Sequence, residues 1–440
     1  MAWSWAYLVL SLMGLVLVLN AFRPIRVTVF LVPSFFAAWY TGEMPVWHIV
    51  WQAGVTVGFA FAGAFGYWPG WVGLAVTLVA WAGLLVLARI GDRAHDVLLR
   101  AEEEVPLPGV PPGGLAVPLP KSGRETMWRW QRLVYPLPRP ARSVRVLKNV
   151  DYVGDGARRH RLDVIRRRDA PPAGAPVLLH IHGGGWVVGD KREQGFPLMH
   201  ELARRGWVCV TVNYALSPRY TWPEHIVDCK RALVWVRRNI EAYGGDPRFV
   251  AVTGGSAGGH LAALLALSAG DPQYQPGFEE ADTAVEACVP VYGVYDMTRG
   301  GVATRYDEGF MALMERQVFK VRCVEHPALF EDASPLFRVR EDAPPFFVLH
   351  GRNDTIAQIR DAQRFVAALR AVSRSPVLYA ELPFTQHAFD VLPSIRSAHA
   401  VAAIVRFLEH VRHHAGVSGT TVPGWPDLGL DDRAPAPGPS

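Results

Sequence analysis

The 440 residues are enough for more than one domain, and a hydrophobic content of 50% with a mean hydropathy of +0.12 is high for a wholly soluble chain. The net charge of +5 and pI near 9.1 come without a nucleic-acid-binding motif, so no nucleic acid partner is expected. None of the four cysteines, Cys209, Cys229, Cys288 and Cys323, lies in a C-x-x-C pair, which argues against a disulfide framework or a zinc site and for small buried apolar residues.

Met1 to Phe22 carries no charged side chain and is long enough to cross a ~30 Å hydrocarbon core. It lacks a basic start and a clear small-residue cleavage site, so it reads as a span rather than a signal peptide. Arg23-Pro24-Ile25-Arg26 ends it. Val27 to Gly42 is apolar but short and contains Pro33, leaving an interfacial, a re-entrant and a short spanning reading open. Val46 to Gly66 and Trp71 to Ile90 are two further span-length runs. Trp47, Trp51, Trp68, Trp71 and Trp81 suit interfacial belts, and Gly54, Gly58, Gly63 and Gly66 suit close helix packing. His48 and Gln52, one turn apart, read as helix–helix hydrogen-bonding groups.

Residues 1–100 are therefore expected to be a transmembrane region of three or four spans in a multi-pass protein of the cell membrane. Three spans put Arg23 and Arg26 on the same side as Arg89, Arg93 and Arg100. The positive-inside tendency then makes that side, and the domain that follows, cytoplasmic.

Residues 101–142 read as a linker, Pro/Gly-rich from Val105 to Pro120, with an amphipathic stretch from Arg124 to Tyr135 that includes Trp128 and Trp130. The arginines crowding residues 139–168 suit either a solvated face or contact with anionic membrane lipid. From 143 to 415 the pattern changes. Strands are predicted at Val144–Val153, Arg161–Arg166, Val177–Ile181, Val208–Asn213, Phe249–Thr253, Ala287–Val291, Pro345–His350 and Val377–Leu382. Helices fall between them, notably at His225–Tyr243, Ala257–Ala269, Ile356–Val372 and Ser397–His414. Alternation of this kind gives a doubly wound, mostly parallel eight-stranded sheet in an α/β domain, with an antiparallel first pair as one option. Residues 293–344 form a cap-sized insertion with a helix around Phe310–Val321. The Pro/Gly-rich tail, 416–440, is expected to be disordered.

Two stretches carry chemistry. Phe249-Val-Ala-Val-Thr runs as a buried strand into Gly254-Gly-Ser-Ala-Gly258 and then into the helix formers Leu261–Leu267. A G-x-S-x-G turn between strand and helix thrusts the serine outward, and the glycines let the two elements pass. The strand Ala175–Ile181 runs into His182-Gly-Gly-Gly-Trp186, whose consecutive glycines can aim backbone N–H groups at a substrate oxygen together with that of Ala257. A phosphate-cradling loop would need a Lys-Ser/Thr ending or G-x-G-x-x-G, and neither is present.

His-Gly-Gly-Gly-Trp followed by Gly-Gly-Ser-Ala-Gly-Gly resembles the hormone-sensitive-lipase-like esterases of the α/β-hydrolase superfamily. Asn213-Tyr-Ala-Leu-Ser-Pro-Arg219 and Trp222-Pro-Glu-His-Ile-Val-Asp-Cys229 match the segment between the two glycine motifs. With the apolar front, the chain resembles membrane-anchored actinobacterial-type carboxylesterases or lipases. The resemblance implies a triad in the order Ser, acid, His. Ser256 is the nucleophile and His387, in Gln-His-Ala-Phe after the last strand, is the base. Asp354, in Gly351-Arg-Asn-Asp, is the acid, with Asp361 the runner-up. Gly184, Gly185 and Ala257 supply the oxyanion hole. The resemblance also makes a cap segment of Arg124–Tyr135, beside the alternative of membrane contact. His182 and His350 read as structural, bonding loop backbone. The acid motif Asn-Asp-Thr-Ile departs from the Asp-Pro-Leu common in soluble members, so their substrates do not transfer.

The expected activity is that of a membrane-anchored serine carboxylic-ester hydrolase acting on an ester or lipid through an acyl-enzyme, with no metal or organic cofactor. A serine amidase or peptidase and an acyltransferase would use the same residues. A catalytically inactive membrane-attached binding module is the alternative of another class.

Overall fold

In the computed structural model, the structure describes residues 1–26, 30–105, 142–169, 173–298 and 305–414. The stretch Arg124–Tyr135, most of the linker and the tail lie outside the described residues. Five helices come first: α1 (Ala2–Phe22), α2 (Leu31–Glu43), α3 (Pro45–Phe61), α4 (Trp68–Asp92) and α5 (Ala94–Glu104). Two stretches, Ala2–Phe22 and Trp68–Glu104, are long and apolar enough to cross a membrane by length and composition; α3, at 17 residues, is shorter. The 13 residues of α2 extend only ~20 Å at the α-helical rise.

Side chains, not glycine stripes, join α3 to its neighbours. Trp81 Nε1 donates to Gln52 Oε1 (3.0 Å), and the Tyr7 hydroxyl lies 3.0 Å from that of Thr56 and 3.2 Å from that of Thr77. Within α3 itself Trp51 Nε1 donates to His48 Nδ1 (3.2 Å), so this His48 bond, expected between helices, lies inside one. The expectation for Gly54, Gly58, Gly63 and Gly66 is corrected here: a Cβ at any of them would meet nothing within 4 Å. The close contacts lie on α4, where a Cβ at Gly73 would press on Tyr7 and Leu8 of α1, and one at Gly83 on Val18. A glycine count locates small residues but not the face that meets a neighbour. Here the polar residues Gln52 and Thr56 mark that face of α3.

The sheet contains β1 (Val144–Asp151), β2 (Arg161–Arg167), β3 (Ala175–Ile181), β4 (Val208–Val212), β5 (Gly245–Gly255), β6 (Ala287–Val291), β7 (Phe346–Gly351) and β8 (Val377–Leu382). Its order is β1-β2-β4-β3-β5-β6-β7-β8. β1 pairs antiparallel with β2, and β2 antiparallel with β4; the remaining pairs are parallel. β3, β4, β6 and β7 are buried along their whole length, as strands covered on both faces must be. The sequence-predicted strands all form, with ends shifted by a few residues.

The later helices are α6 (Phe196–Arg204), α7 (Glu224–Asn239), α8 (Ala257–Leu267), α9 (Arg305–Leu313), α10 (Pro327–Asp332), α11 (Ile359–Val372) and α12 (Ile395–His414). The cap helix expected at Phe310–Val321 starts earlier and gives way to a π-helical turn, Met314–Phe319. One face of the sheet packs against α7, α8 and α11, with Ile226, Leu233, Leu264 and Phe365 in that core. The other packs against α6, α12 and α5. Ala94, Leu98 and Ala101, spaced to fall on one helical face, join Leu378, Ala380, Phe407 and Leu408 there. Cys209 and Cys288 sit in sheet strands and Cys229 in α7, all three buried.

The front helices are fastened to this domain at several points. Asn353 Nδ2 donates to the Phe22 carbonyl at the end of α1 (3.1 Å), and His399 Nε2 lies 3.1 Å from Asp92 at the end of α4. Glu43, ending α2 just before α3 begins, pairs with Arg396 and accepts from the Ser394 hydroxyl (2.6 Å). Glu102 of α5 pairs with Arg406 of α12; both pairs are buried.

Candidate active site

β3 and β5 run side by side with Ile181 opposite Gly254, so the loops that follow them emerge together at the carboxyl edge of the sheet. Ser256 follows β5 at φ 58°, ψ −123°, a conformation non-glycine residues rarely hold, and α8 starts at Ala257. This is the elbow geometry. The Ser256 N–H donates to the Val291 carbonyl at the end of β6 (3.0 Å). A Cβ at Gly258 would overlap the Ile181 carbonyl, so only glycine lets α8 leave this close to β3. The Ala257 N–H belongs to the first turn of α8 and has no partner within the helix.

The glycine loop abuts this turn: a Cβ on Gly183 would stand 3.1 Å from that of Ser256. Gln194 Oε1 accepts from the Gly183 N–H (2.7 Å), and the Tyr214 hydroxyl donates to the His182 carbonyl (2.9 Å). Gly184, at φ 121°, offers its carbonyl to the N–H groups of Val187 and Val188, closing a tight turn that contains Gly185. Trp186 Nε1 donates to His260 Nδ1 (3.2 Å), and His260 Nε2 donates to the Ala333 carbonyl (2.7 Å). His260 therefore ties the glycine loop to the helix behind Ser256 and to the insertion. Burial lowers His182 and His260 to about 4, so both stay neutral near pH 7.

β7 and β8 deliver the other two candidates. His387 Nδ1 lies 2.7 Å from Asp354 Oδ2. The N–H groups of Ile356 and Ala357 donate to Asp354 Oδ1 at 2.7 and 2.8 Å, and His350 Nε2 lies 3.4 Å from Oδ2. Burial alone would raise the Asp354 carboxyl, but His387 and His350 outweigh it and hold it well below the usual carboxylate range. A charged carboxylate at Nδ1 fixes the proton there and leaves Nε2 as the acceptor. Asp361 sits in the first turn of α11, next to Arg360, and the carboxylate on His387 is that of Asp354.

Two more residues steady the histidine. Gln386 Oε1 accepts from the N–H groups of Thr355 (2.8 Å) and His387 (3.0 Å), joining the acid loop to the base loop. The Tyr292 ring packs 4.5 Å from that of His387 while its hydroxyl donates to Asp390. Sequence reasoning missed Gln386, Tyr292 and His260. Only His260 left a signal, in its place within the elbow stretch. His182 and His350 do bond backbone, through Nδ1 to the Gly183 carbonyl (2.7 Å) and Nε2 to the Ala357 carbonyl (3.0 Å).

Comparison with known proteins places the chain among similar sequences and folds. Residues 162–369 match the family model described as BD-FAE. Over 289 residues the chain is 52% identical to the probable carboxylic ester hydrolase LipM of Mycobacterium tuberculosis, covering 63% of this chain and 66% of that protein. Esterase LipQ of the same organism is 52% identical over 256 residues, covering 58% and 60%. The chain thus spans a little under two thirds of the length of these relatives. Among solved structures, esterase B of Lactobacillus rhamnosis superposes with a TM-score of 0.54 at 18% identity, covering 73% of this chain and 97% of that one. A truncated carbohydrate esterase from gut microbiota gives 0.53 at 22%, covering 62% and 100%. At such identities the likeness is one of fold. Sheet order and elbow are those of the α/β-hydrolase fold, and in sequence the chain is similar to the mycobacterial carboxylic ester hydrolases.

Proposed function

We propose that the protein is a membrane-anchored serine carboxylic-ester hydrolase. Ser256 attacks the acyl carbonyl while His387 Nε2 takes its proton, and Asp354 stabilises the resulting imidazolium. The N–H groups of Gly184, Gly185 and Ala257 hold the developing oxyanion. His387 returns the proton to the leaving alcohol, then activates water to release the acid and free Ser256. No step needs a metal or organic cofactor. The observation that carries this reading is the 2.7 Å contact of His387 Nδ1 with buried Asp354 on the sheet edge that also bears the Ser256 elbow. Ser256→Ala is expected to fold normally yet lose ester turnover and fluorophosphonate labelling. Full labelling of that variant would sink the assignment.

The membrane part of the proposal rests on exposed apolar surface. Val9, Leu12, Met13, Val16 and Leu19 of α1, Val57 and Phe61 of α3, and Leu78, Val79, Leu85 and Val86 of α4 all face outward. An apolar surface of that extent is at home in lipid rather than water. The ends of α1, α2 and α4 all meet the hydrolase domain, so α3 sets out from that side. Three crossings with α2 at the interface fit this, and put Arg23, Arg26, Arg89 and Arg93 on the hydrolase side, which makes that side cytoplasmic. A cysteine introduced near the C-terminus should then escape a membrane-impermeant thiol reagent in intact cells.

A further inference from the structure

The candidate base is only 6% exposed, and part of its cover comes from the front of the chain. The Phe35 ring of α2 meets the His387 ring edge-on with centroids 6.3 Å apart. One turn on, Trp39 Nε1 donates to the Ala388 carbonyl (2.9 Å), beside the histidine. Phe22, ending α1, packs edge-on against Phe384 at 5.9 Å, and its carbonyl holds Asn353, the neighbour of the candidate acid. The loops that carry acid and base are thus both clasped by apolar helices from outside the sheet domain.

Across the site, Leu313 of α9 stands 4.0 Å from where a side chain at Gly185 would begin. Val188 of the glycine loop is 63% exposed, and Phe36, beside Phe35, is 55% exposed. Phe30, just before α2, and Val32 on it are exposed as well. α2 leaves the end of α1 and delivers the chain to the start of α3, so it lies at the level where the long helices emerge. Its length is too small for a crossing. One part of this helix touches the base, and another presents aromatic and branched side chains outward.

We propose that α2 is the bilayer-side wall of the site mouth, and that the substrate is a long-chain ester that reaches Ser256 from the membrane with its chain along Phe35 and Phe36. The proposal rests on the membrane-anchored ester-hydrolase reading. A chain threaded along this wall leaves lipid without crossing water, and each methylene gains apolar contact on the way. Phe35 and Phe36 are the specificity residues, and Trp39 holds the helix against the base loop.

The test uses the full-length protein in phosphatidylcholine vesicles, with p-nitrophenyl butyrate as the short soluble ester and 1-oleoylglycerol as the bilayer-resident one. The wild type is expected to favour the oleoyl ester in kcat/KM. The ratio of oleoyl to butyrate kcat/KM should fall about tenfold or more in Phe35→Ala and Phe36→Ala, chiefly through KM. Because Phe36 is exposed, its variant keeps the test intact should Phe35→Ala fail to fold. A wild type that prefers butyrate, or an unchanged ratio in the Phe36 variant, overturns the proposal and leaves ester hydrolysis standing. An equal fall on both esters in Phe35→Ala makes α2 a mere support for His387 and also overturns it. If the wild type cleaves neither ester and Ser256 takes no fluorophosphonate, the hydrolase reading itself fails.

Discussion

Gly184 and Gly185 are neighbours that should respond differently to the same substitution. A Cβ at Gly184 would overlap the Val188 carbonyl at a φ of 121°, so Gly184→Ala must rearrange the loop. Gly185 holds a left-handed φ of 61° with open space up to Leu313, so Gly185→Ala carries only the strain of that region, ~1–2 kcal/mol. Turnover should therefore fall by two orders of magnitude or more in the first, on the scale of a lost oxyanion donor, and by about tenfold in the second. Initial rates on a short ester check this. Asp354→Asn should lower kcat by ~10⁴-fold, the size expected when the histidine loses its tautomer, while Asp361→Asn should retain most activity. The reverse order would reassign the acid. These residues were legible because each sits where a strand ends in a recognisable turn. Gln386 and Tyr292 were not, since what they do depends on partners from distant segments that only the folded sheet brings together. Asp354 ranked above Asp361 in the sequence, and the bond to His387 is the geometric ground for keeping that order.

The strands were equally legible, since unbroken runs such as Val177–Ile181 can only be buried on both faces. α5 shows where composition misleads. The expected boundary at position 100 falls inside it, yet Ala94, Leu98 and Ala101 belong to a core of the hydrolase domain. A chain beginning at Lys121 should therefore aggregate, whereas one beginning at Arg93 keeps that layer. Size-exclusion profiles of the two would show the difference. The buried pair Glu43–Arg396 locks α2 to α12. Arg396→Met strands a buried carboxylate and should cost ~3–5 kcal/mol, most of it recovered in Glu43→Gln/Arg396→Met. Thermal unfolding of the three proteins in one detergent measures both numbers. If the double variant is no better than the single, Arg396 acts through packing and not through its charge.

At the scale of the whole molecule, buried histidines make the domain acid-sensitive. Burial lowers His180 and His225 to about 3, and His182 and His260 to about 4, from an ordinary 6.5. The unfolded chain takes up these protons first, so the stability they confer is present above pH 6.5 and is lost as pH falls from there towards 4. The slope is at most ~1.4 kcal/mol per pH unit for each histidine. Denaturant midpoints across that window should drop steadily. A flat profile would mean that these side chains are protonated in the native state. The clasp between the front helices and the acid and base loops has one more consequence. A catalytic centre fixed at a set height and tilt has no leash on which to search solution. With the front helices in a bilayer as proposed, it would sample only the sheet of molecules sliding past it, and turnover is expected to obey surface kinetics. Adding vesicles of unchanged composition should leave the rate per enzyme constant, while raising the mole fraction of ester within them should increase it.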